Sequence, residues 1–317
     1  MLSRVADAVY WMGRYLERAE NITRLLLVTE EFSTETHGLE ESVAQMAWKD
    51  LLAILPTAEL SSPVSAFAPL SLPYLSAFFL DPENPYSIHF SLRKARENAR
   101  AVREALTVEV FMSISETFRG VETYQKKGLT DLPGLRDALA TTHKRIWSVV
   151  GAIESTFTRD EAWHFLKLGE AVERTYRAAL ILRAKLPALL ASEPRADLPL
   201  YYTQWRSLLR SLSSLENYRR LHGARMEPEL VVSFLFFDAR SPRSLRAGAA
   251  TIKDCLERIA GGPDRTPAAR LIGRLHAGLC YADAEAIHGA DSPAFLDGVL
   301  DSVTWVHEAL VAQYFVT

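Results

Sequence analysis

Apolar residues recur along most of this chain at a period near 3.6, the spacing of one face of an α-helix. The stretch from Arg4 to Phe32 has this pattern, and Ser3 in front of it is a suitable N-cap. The run Val231 to Phe237 leans towards β-structure, but a matching segment, Leu75 to Leu80, lies between similar neighbours. Both are interpreted as helix, and the pattern predicts an all-α fold.

Caps, prolines and glycines bound the other predicted helices. Asn84 is expected to cap a long helix that has Pro85 at its first position and continues through Tyr124, whereas residues 261–267 are expected to break its counterpart. Four prolines between Pro56 and Pro73 predict an irregular segment. The remaining helices are predicted at Gln45–Leu55, Asp131–Phe157 (or from Thr130), Asp160–Leu186, Leu200–Leu221, Pro228–Phe237, Pro242–Ile259 and Pro293–Tyr314.

Two similar segments indicate that one helical unit occurs twice. The pattern Gly-x-x-x-Glu-Arg begins at Gly13 and again at Gly169, 156 positions later. Other pairs match at offsets of 157 and 158, among them Trp147 with Trp305 at 158. A match that recurs at nearly constant spacing indicates tandem duplication, so we predict a helical bundle of two pseudo-symmetric repeats packed as one globular unit. The predicted repeats are residues 1–157 and 158–317.

Composition is that of an ordinary globular protein, with 48% hydrophobic and 24% charged residues. The net charge of −3 gives no overall attraction to nucleic acid or anionic membrane, so neither is expected as a partner. Cys255 and Cys280 are the only cysteines and form no CxxC pair. The N-terminus lacks the apolar run of a secretion signal, and the longest apolar stretch is too short to span a bilayer. We therefore expect a cytoplasmic protein.

The two Glu-Arg pairs are the first candidates for chemistry. Adjacent side chains such as Glu17 and Arg18 point about 100° apart around a helix, so they must find partners elsewhere. The glycine one turn before each Glu admits a neighbouring backbone or leaves room for a ligand. Two interpretations remain open: a buried network that locks two central helices together, or a polar cleft in which Arg18 and Arg174 hold a carboxylate or phosphate. Pairs expected within a helix are Glu17–Arg14, Glu20–Arg24 and Glu173–Arg177.

Arginines form two further clusters. The first has spacings of three, four and three, which place its members on one stripe of a helix. Such a stripe is either a solvated face or a binding surface, and the second cluster presents the same alternatives. An acidic ligand or an acidic partner surface is the inference from both. The first cluster is Arg93, Arg96, Arg100 and Arg103, and the second surrounds Tyr218, Arg219 and Arg220.

Motifs of common enzymes are missing from the sequence, which has no GxSxG, P-loop, GxGxxG or HExxH. Two Glu-x-x-His pairs occur, Glu161 with His164 and Glu285 with His288. Such pairs supply half of the ligands of a di-iron site in a helical bundle. Glu161, however, follows a Thr158 cap and His288 ends a helix, and ligands that point into a bundle are not expected at helix ends. His276 and Cys280 are expected to be core residues. We therefore expect neither a metal nor a cofactor.

The opening segment, Leu2 to Glu20, resembles the alpha-E family of bacterial all-helical proteins, which are named for a Glu-Arg motif. The likeness extends over the whole chain, since Ala95–Arg103, Glu216–Leu221 and Phe234–Ser244 are similar to internal motifs of that family. Its members typically occur beside circularly permuted ATP-grasp ligases and transglutaminase-like proteins. The resemblance therefore implies a role in making or modifying peptide or amide bonds.

The resemblance also selects residues. This sequence departs from the family pattern at Glu170, which stands where Arg14 stands in the first half, at Tyr176, which replaces an acidic residue, and at Phe111, where the family tends to have Trp. Glu17 and Glu173 are the candidate catalytic residues. The ligand-binding candidates are Arg14, Arg18, Arg174, Arg96, Glu97, Asn98, Arg100, Arg103, Tyr218, Arg219 and Arg220.

Three functions remain open at this point. The leading hypothesis is a cytoplasmic protein that binds an acidic small molecule or peptide and works with an ATP-grasp ligase, and also with a transglutaminase-like protein. The second makes the chain itself an amide-forming or amide-transferring enzyme, with Glu17 as general base and arginines that hold an acyl phosphate. The third is a di-iron oxidase.

Overall fold

A computed structural model describes residues 1–36, 49–55, 71–191, 198–262, 265–282 and 292–315. Within these ranges the regular structure is helical and no strand occurs, so the all-α prediction is confirmed. None of the described helices combines the length and the apolar character needed to cross a bilayer. The irregular segment predicted from Pro56 lies mostly outside the described residues, as do Glu285 and His288.

The helices follow one another with short connections. The chain divides into two compact units, Met1–Glu170 and Ala171–Val316, and the boundary between them lies inside α7. The helices are α1 (Ser3–Glu35), α2 (residues 49–54), α3 (Leu72–Leu80), α4 (Ile88–Ala101), α5 (Val108–Lys127), α6 (Leu132–Thr156), α7 (Glu161–Ala191), α8 (Leu198–Ser211), α9 (Leu215–His222), α10 (Pro228–Phe237), α11 (Leu245–Ile259), α12 (Pro267–Tyr281) and α13 (Ser292–Leu310), with a 3₁₀ turn at Arg103–Ala105 and a π-helical turn at Val311–Phe315.

The first unit is built around α1, which packs on α4 and α6. Helix α5 lies against both α4 and α6, and α3 contacts α4, α5 and α6. Because α1 is surrounded, 20 of its 33 residues are buried, more than one apolar face would supply. The core of this unit includes Tyr10, Ile22, Leu92, Ile114 and Ile146.

The second unit has its own core. Helix α12 packs against α11 and α13, and α10 contacts α11, α12 and α9. Consecutive helices contact one another in α10 to α13 as they do in α3 to α6, and α10 contacts α12 as α3 contacts α5. The core side chains include Trp205, Phe236, Ile252, Ile272 and Val303.

The same capped turn begins α4 and α11. The Ser87 hydroxyl accepts the Phe90 N–H at 2.9 Å and donates to the Asp81 carbonyl at 2.5 Å. At the start of α11, Ser244 accepts from Ala247 N–H at 3.1 Å and donates to the Asp238 carbonyl at 2.8 Å. Each serine therefore satisfies an otherwise unpaired helix donor and also closes the preceding turn.

The expectation that Asn84 caps α4 is wrong. Ser87 is the cap, and Asn84 lies three residues earlier. Its side-chain oxygen accepts the Tyr86 N–H at 2.9 Å, and its amide donates to the Ala77 carbonyl at 3.1 Å. Both functional ends of Asn84 thus stabilise the turn, which leaves the cap to the serine.

We expect Ser244→Ala to destabilise the protein by about 1 to 2 kcal/mol, because it removes the cap of α11 and the bond to the Asp238 carbonyl. Urea unfolding followed by circular dichroism measures the change. Thr251→Ala, which removes an exposed hydroxyl bonded to its own helix, is the control and should change stability by less than about 0.5 kcal/mol. Equal losses in the two variants would contradict the capping role.

Two helices that were expected to be continuous are broken. Helix α4 ends at Ala101 because Thr107 caps α5, accepting Val110 N–H at 3.3 Å, much as Thr266 caps α12. The break expected only at residues 261–267 therefore has a counterpart in the first half. The expected helix Leu200–Leu221 is divided between α8 and α9, since Ser213 has φ of 51°, a left-handed conformation that a right-handed helix excludes.

Candidate functional site

Helices α1 and α7 cross at two glycines, with the crossing residues all in the first unit. A Cβ on Gly13 would overlap the Leu166 carbonyl oxygen, and a Cβ on Gly169 would overlap the Tyr10 carbonyl oxygen. The contact is reciprocal, because each glycine faces the residue three positions before the other. Of the two uses considered for these glycines, close approach of a backbone is therefore the one observed.

Charged residues are buried along α1. The exposed fraction is 8% for Arg14, 6% for Glu17, and 4% for both Glu20 and Arg24. Glu20 forms the expected ion pair with Arg24, and its Oε1 also lies 3.0 Å from Nε2 of His143 on α6. Buried charges are stable only with close partners, so this network ties α1 to α6.

The second Glu-Arg segment is also buried, in the second unit. Glu173 is fully buried, and the expected partner Arg177 donates its Nε–H to Oε1 of Glu173 at 3.0 Å. Arg174 is partly buried. The next residue, Thr175, lies with its side chain against Gly248, where a Cβ would overlap the Thr175 hydroxyl oxygen. This part of α7 is therefore tightly packed within its own unit.

Guanidinium groups lie over aromatic rings on the side of the first unit where α1 meets α4. Arg14 lies 4.9 Å from the Trp11 ring centre, and Arg18 lies 5.3 Å from that of Tyr15. The Tyr15 ring contacts Phe90 of α4 edge to face at 6.4 Å. Cations over ring faces are held by the ring quadrupole, so these arginines are positioned before any ligand arrives.

The arginine stripe of α4 continues this arrangement against α5. Arg96 lies 5.2 Å from the centre of Phe118, and Arg103 lies 4.6 Å from that of Phe111. The two arginines are seven residues apart, as are the two phenylalanines, and the later arginine contacts the earlier phenylalanine, as expected for antiparallel helices. Arg103 belongs to the 3₁₀ turn rather than to α4. Phe111 thus supplies the ring beneath Arg103.

Arg100 differs from its neighbours on the stripe. It is exposed and forms no ion pair or hydrogen bond with any residue that the structure describes. Arg93, by contrast, donates to the Pro82 carbonyl at 3.0 Å. Glu97 is paired with Lys94 at 2.8 Å, so it does not neutralise Arg100. Arg100 is therefore the candidate with the clearest access to an external anion.

The cluster around Tyr218 lies in the second unit. Tyr218 is fully buried and donates its hydroxyl to the Arg225 carbonyl at 2.7 Å, and burial raises its pKa to about 12. Arg219 and Arg220 are exposed, and Arg219 lies 3.4 Å from Glu216. Tyr218 consequently supports α9 from the core, and only the two arginines are accessible to a ligand.

Lys167 is a largely buried charge that was not among the predicted site residues. Its Nζ lies 2.9 Å from Glu154 and 2.5 Å from Glu170. Burial alone would lower the pKa of Lys167, but the two carboxylates outweigh it and raise that pKa. The amine is therefore charged at neutral pH and is not a nucleophile. The spacing of Lys167 and Glu170 was visible in the sequence, but the contact with Glu154 was not.

Metal-ligand residue types do not converge in the described part of the chain, where no three His, Cys, Asp or Glu residues lie close enough to hold an ion. Glu161 instead accepts from the amino group of Met1 at 2.9 Å. The Cys280 Sγ lies 3.5 Å from Nε2 of His276, and burial lowers the pKa of that histidine.

Comparison with known proteins gives a family match over nearly the whole chain. Uncharacterized proteins of Mycobacterium bovis and Mycobacterium tuberculosis are 24% identical over 322 aligned residues, which cover 97% of this chain. The chain spans only 35% of the length of these relatives. No solved structure matches it significantly. Residues 1–315 match the Alpha-E family, described as "a predicted alpha-helical domain with a conserved ER motif", and the chain therefore belongs to the Alpha-E family.

Proposed function

We propose that this protein is a helical binding partner of an ATP-grasp-type ligase, and that it holds an acidic small molecule or peptide during amide-bond formation. The observation that carries the proposal is the position of Arg100, an exposed cation in a row of arginines that aromatic rings hold in place. Guanidinium groups bind carboxylates and phosphates through paired N–H donors. The α4 surface thus suits an anionic ligand.

Burial of the two glutamates supports catalysis by the partner. Glu17 is 6% exposed and Glu173 is fully buried, whereas a general base must come within hydrogen-bonding distance of its substrate. In addition, Oε1 of Glu173 already accepts the Arg177 Nε–H at 3.0 Å. Both observations favour a structural role for these residues over a catalytic one.

The family's ER motif is assigned here to the two buried segments. The chain contains a third Glu-Arg dipeptide, Glu257-Arg258. That pair lies on α11, where Glu257 bonds Lys253 at 2.6 Å and Arg258 bonds Asp254 at 2.9 Å, contacts typical of a helix surface. Glu17-Arg18 and Glu173-Arg174 instead follow the crossing glycines.

Duplication of a single helical repeat is part of the same proposal. Three features support it: the reciprocal contact of Gly13 and Gly169, the serine-capped turn before α4 and α11, and the common packing order of α3–α6 and α10–α13. The two glycines are 156 positions apart and the two capping serines 157, the offsets that the sequence itself shows. A duplicated scaffold with unduplicated surface arginines would give two similar cores and one distinctive binding surface.

The length of the mycobacterial relatives is consistent with a ligase partner for the helical domain. Most of each mycobacterial protein lies outside the region that this chain matches. That remainder is large enough to hold additional domains beside the helical one. A ligase joined to this helical domain in one polypeptide would act at high effective concentration.

We expect Arg100→Ala to weaken the binding of a hexaglutamate peptide by about tenfold, because each charge-assisted hydrogen bond contributes strongly to affinity. Isothermal titration calorimetry measures the dissociation constant. Arg258→Ala removes the same charge from a surface site on α11 and should leave the affinity unchanged. Equal losses in the two variants would indicate general electrostatics and contradict the assignment of the site.

The ligase partnership is tested by reconstitution. The ATP-grasp protein of the same organism is assayed for ADP release and amide product with and without this chain. Product that forms only with both proteins, and decreases with Arg100→Ala, supports the proposal. Equal product without this chain contradicts it, and turnover by this chain alone on an acyl phosphate would identify it as the enzyme.

A further inference from the structure

A polar groove of about 450 Å³ lies between α5 and α6, apart from the arginine stripe of α4. Its lining comes from both helices and contains no large apolar side chain. Such a composition is unsuited to a hydrophobic ligand and suited to a small polar one. The lining residues are Ser113, Glu116, Thr117, Arg119, Gly120, Thr123, Arg145 and Ser148.

Charges of both signs face this groove. Arg119 and Glu116 are one turn apart on α5, and Arg145 reaches the groove from α6. None of the three forms an ion pair or a side-chain hydrogen bond with any residue in the described ranges. Two cations and one anion are therefore presented together, and their charges are available to a ligand.

Gly120 positions the arginine of α6. The Arg145 guanidinium lies directly against the Cα of Gly120, and a Cβ at this position would overlap Nη1. The absence of a side chain on Gly120 thus allows the guanidinium to lie across the floor of the groove. Any larger residue would move it.

The hydroxyl groups complete the lining as acceptors. Thr117, Thr123 and Ser148 donate to backbone carbonyls of their own helices at 2.8, 2.9 and 3.1 Å. Since each hydroxyl has one proton, its oxygen lone pairs remain for N–H groups of a ligand. The groove thus offers acceptors as well as the two guanidinium donors.

We propose that the α5–α6 groove binds a small zwitterion, an amino acid or a short peptide, with its carboxylate on Arg145 and Arg119 and its ammonium group on Glu116. Arginine pairs bind carboxylates, and a carboxylate attracts an ammonium group at close range. Glu116 would repel a phosphate dianion, so a simple anion fits less well. The site is independent of the proposed role of Arg100, and failure of either leaves the other standing.

The probe is the dipeptide alanyl-alanine, titrated into the intact chain and followed by isothermal titration calorimetry. We expect saturable binding that is lost on N-acetylation or C-amidation, because each removes one of the two ligand charges. Arg145→Gln and Glu116→Gln should each weaken binding by about tenfold or more. Arg100→Ala should not weaken it, which separates this site from the α4 surface.

Gly120→Ala tests the groove without any change of charge. We expect it to weaken dipeptide binding as Arg145→Gln does, because the added methyl group displaces the guanidinium. Gly151→Ala on α6 is the control, since its Cβ meets nothing within 4 Å, and it should bind normally. Circular dichroism confirms that each variant is folded. No saturable binding of the dipeptide, wild-type affinity in Gly120→Ala and Arg145→Gln, or phosphate binding of equal strength would each overturn the proposal.

Discussion

Gly13→Ala is expected to destabilise the protein by about 3 kcal/mol, although alanine favours helix over glycine by about 1 kcal/mol. The added Cβ would overlap the carbonyl oxygen of Leu166 and lie 3.2 Å from the backbone nitrogen of Glu170. Backbone atoms of a packed helix cannot rotate away as a flexible side chain can. The two helices must therefore separate, and the contacts on either side of the crossing are lost. Urea unfolding measures the effect.

Gly151→Ala provides the matched comparison for Gly13→Ala. It makes the same substitution within a helix, at an exposed position with open space around the new Cβ. We expect it to stabilise the protein by about 0.5 to 1 kcal/mol through helix propensity alone. Opposite signs for the two variants would establish the close crossing. A stabilised Gly13→Ala variant would show that α1 and α7 do not approach as described.

Glu20→Ala is expected to cost about 3 to 5 kcal/mol, the range found when one partner of a buried ion pair is removed. Arg24, only 4% exposed, would lose the carboxylate that compensates its charge, and His143 would lose its contact with α1. The loss should appear both in the urea midpoint and in the melting temperature. Double substitution with Arg24→Leu should recover part of the stability, because it removes the uncompensated charge.

A surface pair is the control for the buried one. Glu257→Ala removes a glutamate that pairs with Lys253 at 2.6 Å on the surface of α11, where the two side chains are 38% and 41% exposed. Exposed pairs contribute little, so the expected change is below about 0.5 kcal/mol. If Glu20→Ala were equally mild, the network around α1 would not stabilise the protein.

Helix positions were largely predictable because their signals are local. Pro228 begins α10, as the sequence predicts, and α6 begins at Leu132, directly after the start predicted at Thr130 or Asp131. The breaks before Thr107 and at Ser213 were not predicted. The threonine cap is a weak signal inside an otherwise periodic stretch, and a left-handed serine has no reliable signature.

The candidate site was predictable in its residues but not in its partners. Helical spacing identified the pairs Glu20–Arg24 and Glu173–Arg177, since both partners lie on one helix. Contacts between helices depend on their relative register, which spacing within one helix does not determine. The contact of Arg96 with the Phe118 ring and the contact of Arg145 with Gly120 are therefore seen only in the structure.

The glycine crossing also determines how the chain can be divided. Leu166 and Glu170 cover the face of α1 at Gly13, yet both follow the seam predicted from the repeat, near residue 158. A fragment that ended at that seam would expose to water a strip of α1 that is otherwise covered. A fragment intended for NMR or crystallisation should therefore extend through residue 170, where the first compact unit ends.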